Sequence, residues 1–395
     1  MEDVMPHIAM VSIPAPGHVN PSAEVIRELV TRGHRVTYAN DVSWADAVTA
    51  TGAEFKPYTS TLPAADNGAD GDMIDQLTLF LDDAIAMLPQ LRKAYENDRP
   101  DLFLYDIAAA PVRLLAEQWG IPAMQISPTY VAWDGYEQEM APYVDQMRAD
   151  PRGADYYRRF EQWLRDNGSS ITDSAAFQGR PDRALVLIPR HMQPNADRVD
   201  DKVYSFAGPV LGDRAGQGAW TRPAGAGKVL LISLGSAFTE HPEFYRRCIR
   251  AFGDLPGWHV VLQIGSKVEE SELGDVPANI EVHPWVPQLE ILRQADAFLT
   301  HGGMGGSVEG LSCGTPMLVA PQAADQFGNA DRLVELGVAQ RIDTAEITAD
   351  QLRSAFRTLI DDPGVRETST RISRELHASS GAGHAVALIE AELPR

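Results

Sequence analysis

Apolar positions along the chain recur in two rhythms. Short unbroken runs, HIAMVSI at 7–13, DLFLYD at 101–106, KVLLIS at 228–233 and AFLT at 297–300, have the length and continuity of strands buried on both faces. Longer stretches such as PSAEVIRELVTRG at 21–33 and HPEFYRRCIRAF at 241–252 carry apolar residues at helical spacing. Each half of the sequence follows one plan: strand, turn, amphipathic helix and returning strand, HRVTYAN at 34–40 and WHVVLQIG at 258–265. Such units build parallel sheets with helices on both faces, so the duplicated plan predicts an α/β protein of two doubly wound domains. In the first helix Pro21 suits the first helical position with Asn20 as cap, and Gly33 suits the stop, which leaves PAPGHVN as a turn.

Residues 208–228, GPVLGDRAGQGAWTRPAGAGK, are rich in Gly, Ala and Pro and read as the linker. The expected organisation is a first domain at 1–207, the linker at 208–228, a second domain at 229–375, and a terminal helix at 376–395 packing back on the body. The polar, aromatic and charged segment 150–182 predicts surface helices inserted before the strand ALVLIP. Ligands of open α/β sheets sit beyond the carboxyl ends of the strands, and two facing domains of this kind make an interdomain cleft from both sets of ends.

Three strand ends carry chemically useful residues. The first strand runs into the turn holding His18, another finishes at Asp106, and AFLT runs into His301 and the cluster THGGMGGSVEG at 300–310. A carboxylate on one ring nitrogen would fix the imidazole tautomer and stabilise the imidazolium formed when the other nitrogen takes a proton, so His18 and Asp106 are a candidate base and orienter. The same two residues also fit a polar turn histidine and a helix cap. The glycines before a helix start let a ligand approach the backbone, where unpaired amides and the helix dipole favour an anion; they also fit plain close packing. Neither a G-x-G-x-x-G fingerprint nor a P-loop is present, and no G-x-S-x-G elbow supports acyl transfer.

Length and composition narrow the classes. At 395 residues with 44% hydrophobic and 23% charged positions, the chain has the balance of an ordinary two-domain globular protein. A formal net charge of -21 argues against nucleic acid as a partner while leaving room for one bound nucleotide. Cys248 and Cys313 match neither a metal spacing nor a disulfide framework and read as small buried hydrophobes, and His34, His191, His259 and His283 are scattered. No stretch has the length of a membrane span and the N-terminus does not resemble a secretory signal, which predicts a cytoplasmic protein without a membrane partner.

The stretch 283–330, HPWVPQLEILRQADAFLTHGGMGGSVEGLSCGTPMLVAPQAADQFGNA, orders W-x-P-Q, T-H-x-G, E-G and P-x-x-x-D-Q. That order resembles the nucleotide-sugar signature of family 1 glycosyltransferases, which have the GT-B fold of two facing Rossmann-like domains. PGHVNP, Asp106 and the SLGS turn are similar as well, and GHVNPSAEVIRELVTRGHRVTYA is most like the bacterial macrolide glycosyltransferases. The resemblance implies an acceptor-binding first domain and a donor-binding second. It implies that Trp285 stacks on uracil, the backbone at Val286 reads the base edge, Gln288 contacts the nucleoside and Glu309 accepts from ribose hydroxyls. His301, with amides around Gly303, Gly305, Gly306 and Ser307 and with Ser236, would hold the diphosphate, while Asp325 and Gln326 grip the sugar. Plant members carry Asn and Ser where this chain has Gly305 and Gly306, which moves phosphate contact onto amides and Ser307.

The implied reaction is an inverting transfer of glucose from UDP-glucose to a macrolide hydroxyl, deprotonated by His18 with Asp106 behind it, that inactivates the antibiotic. Neither an essential metal nor a further cofactor is expected. Met73, Phe80, Met87, Tyr130, Trp133, Tyr136 and Met140 are candidates to line an apolar acceptor pocket. A promiscuous transferase acting on flavonoids and phenols, a nucleotide-sugar epimerase, a nicotinamide oxidoreductase and a non-catalytic nucleotide binder are the competing readings, with a monomer or homodimer expected.

Overall fold

The unbroken apolar runs become the central strands of two parallel sheets. The structure is a computed structural model describing residues 5–63, 72–212, 217–236, 239–323, 325–379 and 381–394. The chain divides into two units, Met1–Val210 with Ser380–Arg395, and Leu211–Ser379.

Among the described residues the first unit has strands β1 (His7–Val11), β2 (Arg35–Asp41), β3 (Glu54–Tyr58), β4 (Leu102–Asp106), β5 (Ala123–Ser127), β6 (Ala184–Val186) and β7 (Tyr204–Phe206). They lie in the order β3-β2-β1-β4-β5-β6-β7, each neighbour parallel. Its helices are α1 (Pro16–Thr31), α2 (Ala45–Thr49), α3 (Met73–Tyr95), α4 (Pro111–Trp119), α5 (Tyr136–Ala149), α6 (Pro151–Asp166) and α7 (Ser174–Gly179). Both faces are covered, so successive side chains of one strand enter different cores. Ile8 and Met10 join the cluster with α1, whereas Ala9 and Val11 join the cluster with α3, α4 and α6.

The second unit repeats the plan with β8 (Lys228–Ser233), β9 (Trp258–Gln263), β10 (Ile280–His283), β11 (Ala297–Thr300), β12 (Met317–Val319) and β13 (Ala339–Arg341). Their order is β10-β9-β8-β11-β12-β13, again parallel throughout. Helices α8 (Pro242–Phe252), α9 (Gln288–Leu292), α10 (Met304–Cys313), α11 (Gln326–Glu335), α12 (Ala349–Asp361) and α13 (Pro363–Ser379) cover it, and Phe252, Trp258 and Phe356 meet edge to face in its core. In each sheet the connections turn one way after the first strand and the other way after the fourth. β1 beside β4 and β8 beside β11 are therefore the topological switch points, where such sheets bind ligands.

Two expectations are corrected. Helix α1 begins at Pro16 with Ala15 as cap, because the Ala15 carbonyl already accepts from the amides of His18 and Val19 at 3.0 Å. Pro21 therefore lies inside the helix, and His18 rides on its first turn rather than in a loop. Segment 150–182 is helical but is not merely a surface layer. Tyr156, Tyr157, Phe160, Trp163 and Leu164 of α6 share one face and are buried where α6 packs on α3 and α5, leaving the charges outside.

The last helix, α14 (Ala382–Glu390), belongs to the first unit. Ala385, Val386 and Ile389 join the cluster around Val25, Ile26 and Leu29 of α1, and Glu390 pairs with Arg32 and His34 at 3.0 Å. Residues 217–228 are tied to the second unit through the Trp220 indole on Glu281 at 2.7 Å and the Arg222–Asp296 pair at 2.6 Å. Ile389 is fully buried, so Ile389→Ala is expected to cost about 2–5 kcal/mol by cavity formation, read as an earlier unfolding transition of the first unit in denaturant.

Candidate active site

At the first switch point, β4 ends on Asp106 and the turn after β1 leads into the first turn of α1. This brings His18 Nδ1 to 2.8 Å from both carboxylate oxygens of Asp106. Asp106 is 1% exposed, and its Oδ2 also accepts from the amide of Ala108 at 3.2 Å. Nδ1 therefore donates, which leaves Nε2 as the basic nitrogen, and the ring retains 24% exposure. Burial lowers the His18 pKa, but the charge and hydrogen bond of Asp106 outweigh it, and the net shift is upward. Beneath this corner the Tyr38 hydroxyl bridges Ser12 at 2.8 Å and Ser22 at 3.2 Å, which ties the end of β1 to α1.

The second switch point gathers the donor candidates. Gly235, at φ 81°, follows β8, and Gly303 caps α10; the His301 imidazole lies against both backbones. An added Cβ at Gly235 would stand 2.6 Å from its Cε1. Burial pushes the His301 pKa down to about 4, so the ring is neutral near pH 7 and acts as a hydrogen-bonding group rather than a cation. Gly305 is exposed with open space where a Cβ would be, whereas Gly306 and Ser307 are buried in the helix. Ser236 is exposed in the turn after β8.

Trp285 is 55% exposed, an unusual position for a large ring, while Val286 beside it is buried. Gln288 Nε2 donates to Glu309 Oε2 at 2.7 Å, joining α9 to α10 across two residues singled out separately in the sequence. Asp325 caps α11. The Gln326 amide oxygen accepts from the amides of Gln322 and Ala323 at 2.9 and 3.2 Å, so it braces the loop before the helix. Sequence reasoning missed Asn329, which is fully buried and donates to the Gly302 carbonyl at 2.9 Å and to Asp325 Oδ2 at 2.8 Å. Its signal was the four-residue spacing from Asp325, which places both on one helix face.

Of the proposed acceptor residues, Tyr130, Trp133, Tyr136 and Met140 do come together, lining a cavity of about 540 Å³ with Val144, Tyr157 and Tyr204. Ile107, the residue after Asp106, also lines it. The other three are not part of this wall. Met87 is buried in the sheet's own core, and Met73 and Phe80 point outward from α3 at 61% and 40% exposure. Tyr204 and Gln125, which sequence reasoning did not pick out, share a register row across Ala184, and this small residue leaves room between them. Among the described residues, no group of three or more His, Cys, Asp and Glu side chains is placed to hold a metal, and no helix is long and apolar enough to cross a membrane.

Two Rossmann-like units, with an imidazole–carboxylate pair at one switch point and a glycine turn at the other, have the architecture of GT-B glycosyltransferases. The chain belongs to the UDP-glucoronosyl and UDP-glucosyl transferase (UDPGT) family, whose model matches residues 183–381. It is 57% identical to an oleandomycin glycosyltransferase of Streptomyces antibioticus, over 98% of this chain and 91% of that one. An NDP-glycosyltransferase, YjiC, of Bacillus licheniformis is 36% identical over 98% of both. Among solved structures, the glycotransferase of kitacinnamycin superposes with a TM-score of 0.93 at 57% identity over 99% of both chains. The calicheamicin glycosyltransferase CalG4 gives 0.85 at 30% identity over 98% of both.

A base at His18 would have to be neutral, and its pKa is raised, so transfer that depends on it is expected to fall as pH drops through a value above that of free imidazole. Asp106→Asn removes the raising charge but not the burial, so the acidic limb of the pH–rate profile should move to lower pH while the maximal rate falls. The same shift stabilises the first unit at acid pH, an increment lost as pH rises through the folded-state value. Gly235→Ala combines a strained φ with a methyl against His301 and should cost about 1–3 kcal/mol, read by denaturant unfolding of the second unit.

Proposed function

We propose that the chain moves glucose from UDP-glucose to a hydroxyl of a macrolide with inversion at the anomeric carbon. The observation that carries this reading is the His18 Nδ1–Asp106 contact of 2.8 Å, which leaves Nε2 as a base, while Ile107, the residue after Asp106, lines the cavity. His18 Nε2 takes the proton of the acceptor hydroxyl. The oxygen forms a bond to the anomeric carbon as the bond to UDP breaks on the opposite face, and the electron pair leaves with the diphosphate. A β-linked product follows from an α-linked donor.

The second unit supplies what a UDP-sugar needs. The exposed face of Trp285 suits stacking on uracil, and the Glu309 carboxylate, oriented by Gln288, suits the ribose hydroxyls. Amides at the start of α10, the helix dipole and the neutral His301 ring suit the diphosphate, whose charge grows as it departs. Asp325, with Asn329 behind it, suits the hexose hydroxyls. Such donors do the work that a metal ion does in other transferases. Similarity to the oleandomycin glycosyltransferase supports a macrolide acceptor, and an added hexose on such a compound supports a role in inactivating it.

Incubation with UDP-glucose and a panel of macrolides and phenols, read by mass for one hexose increment, tests the reading. Transfer to phenols with none to any macrolide would overturn the acceptor assignment. His18→Ala is expected to abolish transfer, at least about a thousandfold, while UDP affinity measured by calorimetry stays within about twofold of wild type. Activity should persist in EDTA, and strict dependence on Mn²⁺ or Mg²⁺ would contradict the charge-stabilising role given to α10.

A further inference from the structure

The cavity between β5, β7 and helices α5 to α7 is aromatic and apolar over most of its wall, yet its charge is of one sign. Glu137 and Asp173 line it, and among the described residues no Lys, Arg or His side chain does. The two acids differ in what answers them. Asp173 caps α7 by accepting from the amide of Ala176 at 2.8 Å, and its other oxygen lies 3.6 Å from the Arg148 guanidinium. Glu137, exposed at the rim in the first turn of α5, makes no hydrogen bond or ion pair among the described residues. The helix dipole there favours its ionised form. Arg180, which lines the adjoining pocket with Glu137, is already paired with Asp200, and Arg198 is engaged by Glu139 at 3.0 Å.

A second group points to a ligand independently. Tyr204 is 3% exposed and lines the cavity, and its hydroxyl has no hydrogen-bond partner. A buried hydroxyl left unmatched is costly unless something that enters the site accepts from it. Burial pushes the phenol up to about 12, so it keeps its proton as a donor. Trp133 and Tyr136 pack edge to face at 4.9 Å on the same wall, next to Glu137, and present ring surface to the cavity. A carboxylate without a counter-ion beside aromatic rings is the chemistry that recognises an alkylammonium group, by charge and by cation–π attraction together.

We propose that this cavity selects acceptors that carry a protonated amine. The ammonium lies against Glu137 and the Trp133–Tyr136 rings, and the Tyr204 hydroxyl donates to an oxygen of the same molecule. This rests on the reading of the cavity as the acceptor site.

The test compares matched acceptors with UDP-glucose as donor. One pair is a macrolide bearing a dialkylamino group and the same macrolide after N-demethylation and N-acetylation; the other is tyramine and N-acetyltyramine. Wild type is expected to favour the amine member in kcat/KM by about tenfold, chiefly through KM, and the preference should shrink as NaCl is raised. Glu137→Gln should bring the ratio within each pair close to one. Because each ratio is taken within a single protein preparation, a partly misfolded variant does not imitate the result. No transfer to either macrolide with amine preference retained on the phenols would overturn the macrolide reading alone. Equal kcat/KM for amine and amide in whichever pair is transferred, or a preference that Glu137→Gln leaves intact, overturns the amine proposal. Loss of all transfer from wild type to both pairs overturns both.

Discussion

A carboxylate with 1% exposure must have partners, and nearly everything in the first unit's site follows from how Asp106 finds them. Its position at the carboxyl end of a strand buried on both faces removes it from water. The turn of chain at the switch point then offers the Ala108 amide and the His18 ring, and no Lys or Arg, to answer its charge. Both carboxylate oxygens lie 2.8 Å from one ring nitrogen, so the tautomer and orientation of the imidazole are fixed together. The basic nitrogen is presented outward because the other one is held inward. Proton affinity, orientation and exposure of the base are thus consequences of one buried charge.

The second unit reaches its chemistry by a different constraint, the absence of side chains. Gly235 and Gly303 let two backbones close on the His301 ring, and Gly305 leaves open space over the start of α10. The ring held in this way is neutral, which suits hydrogen bonding to a charge that forms elsewhere better than carrying one of its own. Around it, the fully buried Asn329 amide orients the exposed Asp325 carboxylate, whereas the half-buried Gln288 amide holds a Glu309 carboxylate that is itself buried. Two sheets of one strand order therefore carry a carboxylate-held imidazole on one and a glycine-framed imidazole on the other.

Much of this was legible in the sequence because the signals were periodic or compositional. Unbroken apolar runs specified strands buried on both faces, and their repetition specified two sheets. The strand-end positions of His18, Asp106 and His301 then followed from topology. The start of α1 was misjudged because Pro16 and Pro21 both suit a first helical turn, and only the Ala15 carbonyl, already occupied, decides between them. Segment 150–182 misled through its charge. Arg158, Asp155 and Arg165 sit on the outer face of α6 and mask an aromatic face that reads clearly only when plotted at 3.6 residues per turn. Cross-element partners such as Gln288–Glu309, and register rows such as Gln125–Ala184–Tyr204, depend on distances between segments that no local pattern encodes. Met87 shows the opposite failure: a flexible apolar residue at helical spacing looks the same whether it faces a ligand or the protein's own interior.

The first unit is built from both ends of the polypeptide, whereas the second is one continuous stretch. A ribosome therefore finishes Leu211–Ser379 while the earlier-made unit still lacks α14 and shows the apolar side of α1 to water. The cluster that holds Val25, Ile26 and Leu29 stays incomplete until Val386 and Ile389 emerge. Nascent chains stalled before α14 has emerged should thus be sticky for holding chaperones, because the first half of the sequence waits on that helix to be complete.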